Sequence, residues 1–309
     1  MDTPYNFNQQ NIEPHKVKNI LTNNLVILEQ KGRLGNRLQT AAYSLVYAQE
    51  NKVKVFLYCL LDYDNWFVIN NQKGLKKLFH QLFYQFCLFL VKHRKVSKIL
   101  KVQVLHSGPK SPVILSNRDY HDLISSNFIT IVKGYYIYSD PKLLFDHKTT
   151  IEKSFIPLNT NIKHIKNQLN NLKQKFSVVV GVHIRHGDYK DYRGGKYFLS
   201  FDDYYKLLKS LVDNETQSKI YFIICSDASI PENVFNKLDW ECGPGDVLGD
   251  LFILSLCDFV LGPPSTFNRW SAFYGNSPRL EVDKNTTNIC LSNFSQVTDL
   301  TFRESKISY

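Results

Sequence analysis

The chain has 309 residues, is 43% hydrophobic and carries 38 Lys and Arg against 28 Asp and Glu, a net charge of +10. That length and apolar content can build the cores of two ordinary domains and exclude a disordered chain. No stretch approaches the roughly 18 uninterrupted apolar residues of a membrane span, and no basic segment followed by an apolar one opens the sequence, so a cytoplasmic protein is expected.

Residues 1–23 are polar, rich in Asn and Gln, and predict a loose arm. Residues 24–29 (NLVILE) predict a strand and Gly32-Arg33-Leu34-Gly35-Asn36 a turn. Residues 37–51 predict a helix from the apolar spacing Leu38, Ala41, Ala42, Leu45, Ala48, and residues 53–61 (VKVFLYCLL) a second strand. Strand, glycine turn, helix, strand is a βαβ unit. Gly32-x-x-Gly35 lacks the full G-x-G-x-x-G spacing of a dinucleotide fingerprint, and no phosphate P-loop is present.

The whole charge excess lies in one window. Between Asn65 and Arg118 there are ten Lys or Arg and no Asp or Glu, so the other 28 basic residues only match the 28 acidic ones. Inside it, residues 75–90 predict an amphipathic helix with Leu75, Leu78, Phe79, Leu82, Phe83, Phe86, Cys87 and Leu90 on one apolar face, expected to pack on the first lobe. Lysines flank both ends, and Leu88 and Phe89 fall off the stripe. An apolar stripe with basic ends also suits an anionic membrane surface, so residues 75–101 are a candidate for peripheral attachment to the cytoplasmic membrane face.

Short strands follow at 102–105, 113–115, 128–132 and 135–138, then a polar helix at about 161–175. Pro157 and its Asn/Thr-rich surroundings mark a boundary, which divides the chain into lobes 1–157 and 158–309. The second lobe alternates more cleanly: strand 178–184, helix 201–211, strand 219–225, helix 248–256, strand 259–261, helix 265–274 and strand 279–282. Continuous apolar strands separated by helices predict parallel sheets, hence an α/β fold of two facing Rossmann-like lobes with a cleft between them.

Ligands of such sheets bind at the carboxyl ends of strands, and three strand ends in the second lobe are polar. His183-Ile184-Arg185-His186-Gly187-Asp188 closes one strand, Ser226-Asp227 a second, and Pro263-Pro264-Ser265-Thr266 follows a third and opens a helix. A guanidinium at Arg185 offers a charged planar fork suited to phosphate oxygens. The Ser265/Thr266 helix start adds hydroxyls, unpaired N–H groups and the positive end of a dipole. Asp227 and Asp250 are carboxylates suited to hydrogen bonds from a base or a sugar, and guanine with its N1–H and exocyclic amine would suit one of them.

Three pieces resemble the α-1,2-fucosyltransferases and the wider GDP-fucose fucosyltransferase superfamily. GRLGNRLQTAAYSLVYA resembles the N-terminal G-x-L-G-N-Q-x-x-Q-x-A motif, HIRHGDY the H-x-R-x-G-D-Y motif, and DLFILSLCDFVLGPPSTFNRWSAFYG the D-L-x-x-M-S block that ends in S-S-F-S-W-W-G-A. The matches span roughly residues 25–60 and 175–276, in order. The resemblance implies a GT-B fold, a GDP-fucose donor held mostly by the second lobe, inversion at the anomeric carbon, no cofactor and no metal. It implies that Arg185 holds the donor diphosphate, with Ser265 and Thr266 on the phosphates and Asp250 on guanine. It puts Ser226 and Asp227 at the nucleotide, and Gly35 and Asn36 facing the donor from the first lobe. The chain departs at His186, where the family often has Arg, and at Asn268 and Arg269, which replace small and aromatic residues.

The acceptor, a glycan hydroxyl, must lose a proton, and Asp188 and His183 are the candidate bases, either of which could instead orient Arg185. Residues 191–198 (DYRGGKYF) predict a mobile wall whose Tyr192 and Tyr197 could stack on an acceptor sugar. Two other readings compete. Asp62-Tyr63-Asp64 is a D-x-D pair of the kind with which GT-A glycosyltransferases hold Mn²⁺ on a donor diphosphate. The basic window could grip nucleic acid through its phosphates, but Phe79, Phe83 and Phe86 share a face with leucines and are expected to pack, so no nucleic acid is expected. The cysteines Cys59, Cys87, Cys225, Cys242, Cys257 and Cys290 form no C-x-x-C pair and read as reduced.

Overall fold

The computed structural model describes residues 23–30, 32–158 and 161–301, so nearly all of the expected N-terminal arm lies outside it. The first lobe runs β1 (Asn24–Ile27), α1 (Leu34–Glu50), β2 (Lys54–Leu57), α2 (Gly74–Lys92), α3 (Arg94–Ile99), β3 (Val102–His106), β4 (Val113–Ile114), α4 (Arg118–Ser126), β5 (Ile129–Lys133), β6 (Ile137–Tyr138), α5 (Pro141–Asp146) and α6 (Lys148–Ser154). The second runs α7 (Ile162–Lys173), β7 (Val178–Ile184), α8 (Phe201–Asn214), β8 (Ile220–Ser226), β9 (Trp240–Cys242), α9 (Val247–Leu256), β10 (Phe259–Gly262), α10 (Thr266–Gly275) and β11 (Arg279–Glu281).

Each lobe is built on one parallel sheet. The first has order β2-β1-β5-β3 and the second β11-β10-β7-β8-β9. The apolar runs of β1, β5, β7 and β8 are buried on both faces, which is why they do not alternate with polar residues. A small parallel pair, β4 with β6, stands apart.

Several elements differ from expectation. α1 begins at Leu34 rather than Arg37, so Gly35 and Asn36 lie inside its first turn. The expected strand at 53–61 stops at Leu57, and the next six residues, Tyr58–Tyr63, coil into a 3₁₀ helix. The short helices α3 to α6 and strand β9 carry too few turns for their apolar spacing to stand out.

The lobes share a hydrophobic core. Leu34, Leu38, Ala42 and Val46 of α1 belong to one buried cluster with Leu248 and Leu251 of α9 and Trp270 and Phe273 of α10. The chain then returns from β11 to the first lobe: Leu300 joins that cluster and the Asp299 carboxylate accepts the Tyr43 hydroxyl. Asn268 and Arg269, the two departures in α10, point away from the cleft. The Asn268 amide donates to Pro263 O (3.0 Å) and its carbonyl accepts from Arg279 Nε (3.0 Å). Arg269 pairs with Glu281 (2.9 Å) and donates to the Thr301 carbonyl. They form a buried network that anchors α10 and the returning chain. Burial would raise the Glu281 carboxyl, but Arg279 and Arg269 hold it below its ordinary value.

Candidate active site

The carboxyl ends of β1 and β7 face each other across a cleft of about 570 Å³. From the first lobe it is lined by the turn and first residues of α1, from Gly32 to Asn36, and by Gln39, Tyr63, Tyr135, Tyr136 and Tyr138. From the second it takes His183, Arg185, Asp188, Tyr189 and Tyr192 after β7, then Ser226 and Asp227 after β8. Asp250 of α9 and Ser265 and Thr266 at the start of α10 complete that side. Of the candidate catalytic, donor and acceptor residues drawn from the strand ends and the glycine turn, all but Tyr197 line this one space.

The two helix starts meet here. Ser265 caps α10, its hydroxyl accepting the Phe267 N–H (3.2 Å). No side chain caps α1 at Arg33. Thr266 Oγ1 donates to Asn36 Oδ1 at 2.9 Å, which ties one helix start to the other. Gly35 is required by this approach: a Cβ there would sit 2.6 Å from Phe267 N and 2.8 Å from Thr266 C. Gly35 and Asn36 therefore join the lobes as well as line the cleft. Two positive helix ends and two arginines make a ready anion site.

Arg185 is held by Asp188 and Tyr189. Its Nε and Nη2 donate to Asp188 Oδ1 (2.9 and 2.8 Å), its guanidinium stacks 5.2 Å from the Tyr189 ring centre, and its side chain is only 12% exposed. Tyr189 is fixed in turn by donating to the Pro264 carbonyl, and burial pushes its hydroxyl up to about 12. Asp188 also faces Arg33 of the other lobe at 3.6 Å. Asp227 Oδ1 accepts the N–H groups of His186 (2.7 Å) and Gly187 (3.1 Å), and so shapes the loop that carries Arg185. Burial acts to raise the Asp227 carboxyl, but those N–H groups and the Arg185 charge hold it below its ordinary value. Ser226 Oγ accepts the Ala228 N–H (3.1 Å).

At the far end Asp250 is largely buried. Its Oδ1 accepts the Gly245 N–H (2.9 Å), and burial pushes its carboxyl up to about 6. His183 is fully enclosed against Phe267, with ring centres 5.0 Å apart, and its Nδ1 has no partner. Burial, with Arg185 and Arg279 adding to it, pushes its imidazole down to about 3, so it stays neutral. His186 Nε2 donates to the Leu199 carbonyl (2.7 Å) between Phe198 and Phe201, a packing role behind the loop.

Tyr192 lines the cleft at 40% exposure, but Tyr197 is only 5% exposed and packs beneath Tyr189 and Tyr192. The expected acceptor wall thus keeps one of its two tyrosines, because the turn at Arg193 and Gly194, both with positive φ, sends the next residues inward. The D-x-D pair does not converge on a common point: Asp62 binds Arg37 (2.7 Å) and Asp64 binds Lys77 (2.6 Å). Arg33, Tyr63, Tyr135, Tyr136 and Tyr189 were not singled out as site residues. The last follows the H-x-R-x-G-D run directly, and Arg33 lies in the glycine turn, so position relative to a strand end was the available signal.

No family model and no curated protein matches this sequence. Among solved structures it is similar to a point mutant of Arabidopsis thaliana FUT1 in complex with GDP, with TM-score 0.57, 14% identity, and coverage of 89% of this chain and 74% of that one. The chain has the GT-B fold. NodZ α-1,6-fucosyltransferase soaked with GDP-fucose aligns at TM-score 0.47 and 14% identity over 87% of this chain and 96% of that one. POFUT1 in complex with GDP-fucose aligns at 0.46 and 12% over 82% and 94%.

Proposed function

We propose that this protein is an inverting, metal-independent glycosyltransferase that moves fucose from GDP-fucose to a glycan hydroxyl, forming an α-1,2 linkage. The observation that carries this reading is Arg185, oriented by Asp188 and Tyr189, in one cleft with two helix N-termini. Breaking the sugar–phosphate bond leaves negative charge on the diphosphate. A fixed fork and preorganised N–H dipoles stabilise that charge where it forms, without reorganising. The partly buried Asp250 carboxylate lines the cleft and suits the N1–H and amine of guanine. The three sequence motifs, and the FUT1 fold with GDP bound, support a guanine nucleotide over others.

Proton removal from the acceptor falls to a weak base in this reading. The buried neutral His183 has little basicity, and Asp188 is engaged by Arg185 and faces Arg33. A transition state in which the donor bond is largely broken before the acceptor bonds needs no stronger one. Tyr63, Tyr135, Tyr136 and Tyr192 give the mouth an aromatic lining suited to sugar faces. Isothermal titration in excess EDTA tests the donor: GDP binds, and Arg185→Ala weakens it at least tenfold. Binding of UDP in preference to GDP would overturn the assignment.

A further inference from the structure

Helix α2 carries two apolar faces, and only one is used. Cys87 and Leu90 are buried against β1, β2 and β5, with Phe83, Tyr84, Leu88 and Val91 packed around them. Leu75, Leu78, Phe79, Leu82, Phe86 and Phe89 are instead between 39% and 85% exposed. At 100° per residue those six fall within one narrow stripe, a ridge of about 21 Å along the helix. The single face expected from the sequence is therefore split: Phe83, Cys87 and Leu90 turn inward, Phe79 and Phe86, expected to pack, turn out, and Phe89, expected off the stripe, lies on the exposed half. Ile99 (80% exposed) and Leu100 (44%) at the end of α3 prolong the apolar surface.

The charge around this ridge has one sign. Lys73, Lys76, Lys92, Arg94, Lys95, Lys98 and Lys101 are exposed along and beyond it, and no Asp or Glu occurs from 65 to 118. Asp64, the nearest acid in sequence, is held by Lys77. The side of α2 opposite the ridge runs beside the elements that line the cleft. Lys77 binds the residue next to Tyr63, and Tyr84 pairs with Gln30, two residues before Gly32, while Tyr63 and Gly32 both line the cleft.

We propose that α2 and α3 form a docking surface for an anionic lipid bilayer, lying in the interface with the apolar ridge among the acyl chains. An amphipathic helix buried about 5–10 Å into the headgroup boundary needs such a ridge with cations beside it. Each Lys or Arg near an anionic surface raises partitioning about fivefold. This surface is independent of the donor assignment. Among the described residues no helix is long and apolar enough to cross a membrane, so attachment through this surface is peripheral and reversible.

Co-sedimentation of the full chain with vesicles of phosphatidylcholine alone, or with 30% phosphatidylserine, tests this. We expect at least tenfold tighter binding to the anionic vesicles, weakened by 0.5 M salt. Leu82→Ser/Phe86→Ser and Lys92→Gln/Lys95→Gln/Lys98→Gln should each lose at least tenfold, with thermal melting and GDP affinity unchanged. Equal binding to both vesicles, or no binding by the wild-type chain, overturns the proposal. So does self-association that Leu82→Ser/Phe86→Ser abolishes without any vesicle binding, which would assign the ridge to a second copy.

Discussion

Gly35→Ala should separate the lobes by a fraction of an ångström, and that is enough to measure. The new Cβ would lie 2.6 Å from Phe267 N, and 2.8 Å from both Thr266 C and Thr266 Oγ1. Ordinary contact begins near 3.4 Å, and two of the three atoms belong to the backbone of α10, which cannot rotate aside. Gly35 has an ordinary helical φ, so alanine even gains helix propensity, worth up to about 1 kcal/mol. Overpacking of this kind costs about 1–3 kcal/mol, and the steric cost prevails because both helices are anchored in the shared core. At about 2–4 °C per kcal/mol for chains somewhat shorter than this one, melting should fall by about 2–12 °C. The Asn36–Thr266 hydrogen bond crosses the same contact, so the anion site should distort and GDP affinity should fall with stability. Differential scanning fluorimetry with and without GDP reads both. An unchanged or raised melting temperature with unchanged GDP binding would refute the close helix approach.

Arg185→Ala should cost about 10²–10³ in turnover, the usual loss on removing a transition-state donor, and Arg185→Lys should rescue poorly because a point charge lacks the fork; steady-state kinetics check both. Asp250→Asn removes a buried charge and should stabilise the unliganded protein at pH 7.5 by about 1–3 kcal/mol while weakening GDP, read by denaturant melts and titration. GDP affinity of the wild type should fall as pH drops through about 6, where Asp250 takes up its proton, and titrations from pH 7.5 to 5 follow this. His183 is neutral when folded down to about pH 3 but protonates near 6.5 when unfolded, so its contribution to stability is complete above 6.5 and is lost as pH falls toward 3. In His183→Phe the slope of melting temperature against pH between 6.5 and 4 should flatten.

The sequence made the two-lobe α/β plan readable because parallel strands covered on both faces leave unbroken apolar runs, as in VVVGVHI and IYFIICS. Arg185, Asp227, Ser265 and Thr266 were legible for the same reason: each follows a strand or opens a helix in the lobe where the alternation is cleanest, whereas Asp250 lies inside α9 and its assignment to guanine was reached through the family resemblance. Contacts between lobes were not. Nothing in the spacing says that Gly35 meets Phe267, or that Arg33 and Tyr136 face Asp188 and Tyr192, because such pairings depend on how two separate sheets come together. Helix α2 shows a different limit. Its apolar arc is wider than one packing face, and periodicity alone could not tell which half the sheet would cover. Tyr197 was misplaced by a turn at Arg193 and Gly194, whose left-handed backbone reverses the side-chain sequence of the loop.

We propose that the cleft turns over a GDP-sugar through Arg185. The most direct measurement is GDP release from GDP-fucose in excess EDTA, with and without glycan acceptors, beside GDP-mannose and UDP-sugars. We predict release from GDP-fucose that persists in EDTA, rises with acceptor, and falls at least a hundredfold in Arg185→Ala. Turnover of a UDP-sugar instead, activity that EDTA abolishes, or full activity in Arg185→Ala would contradict it.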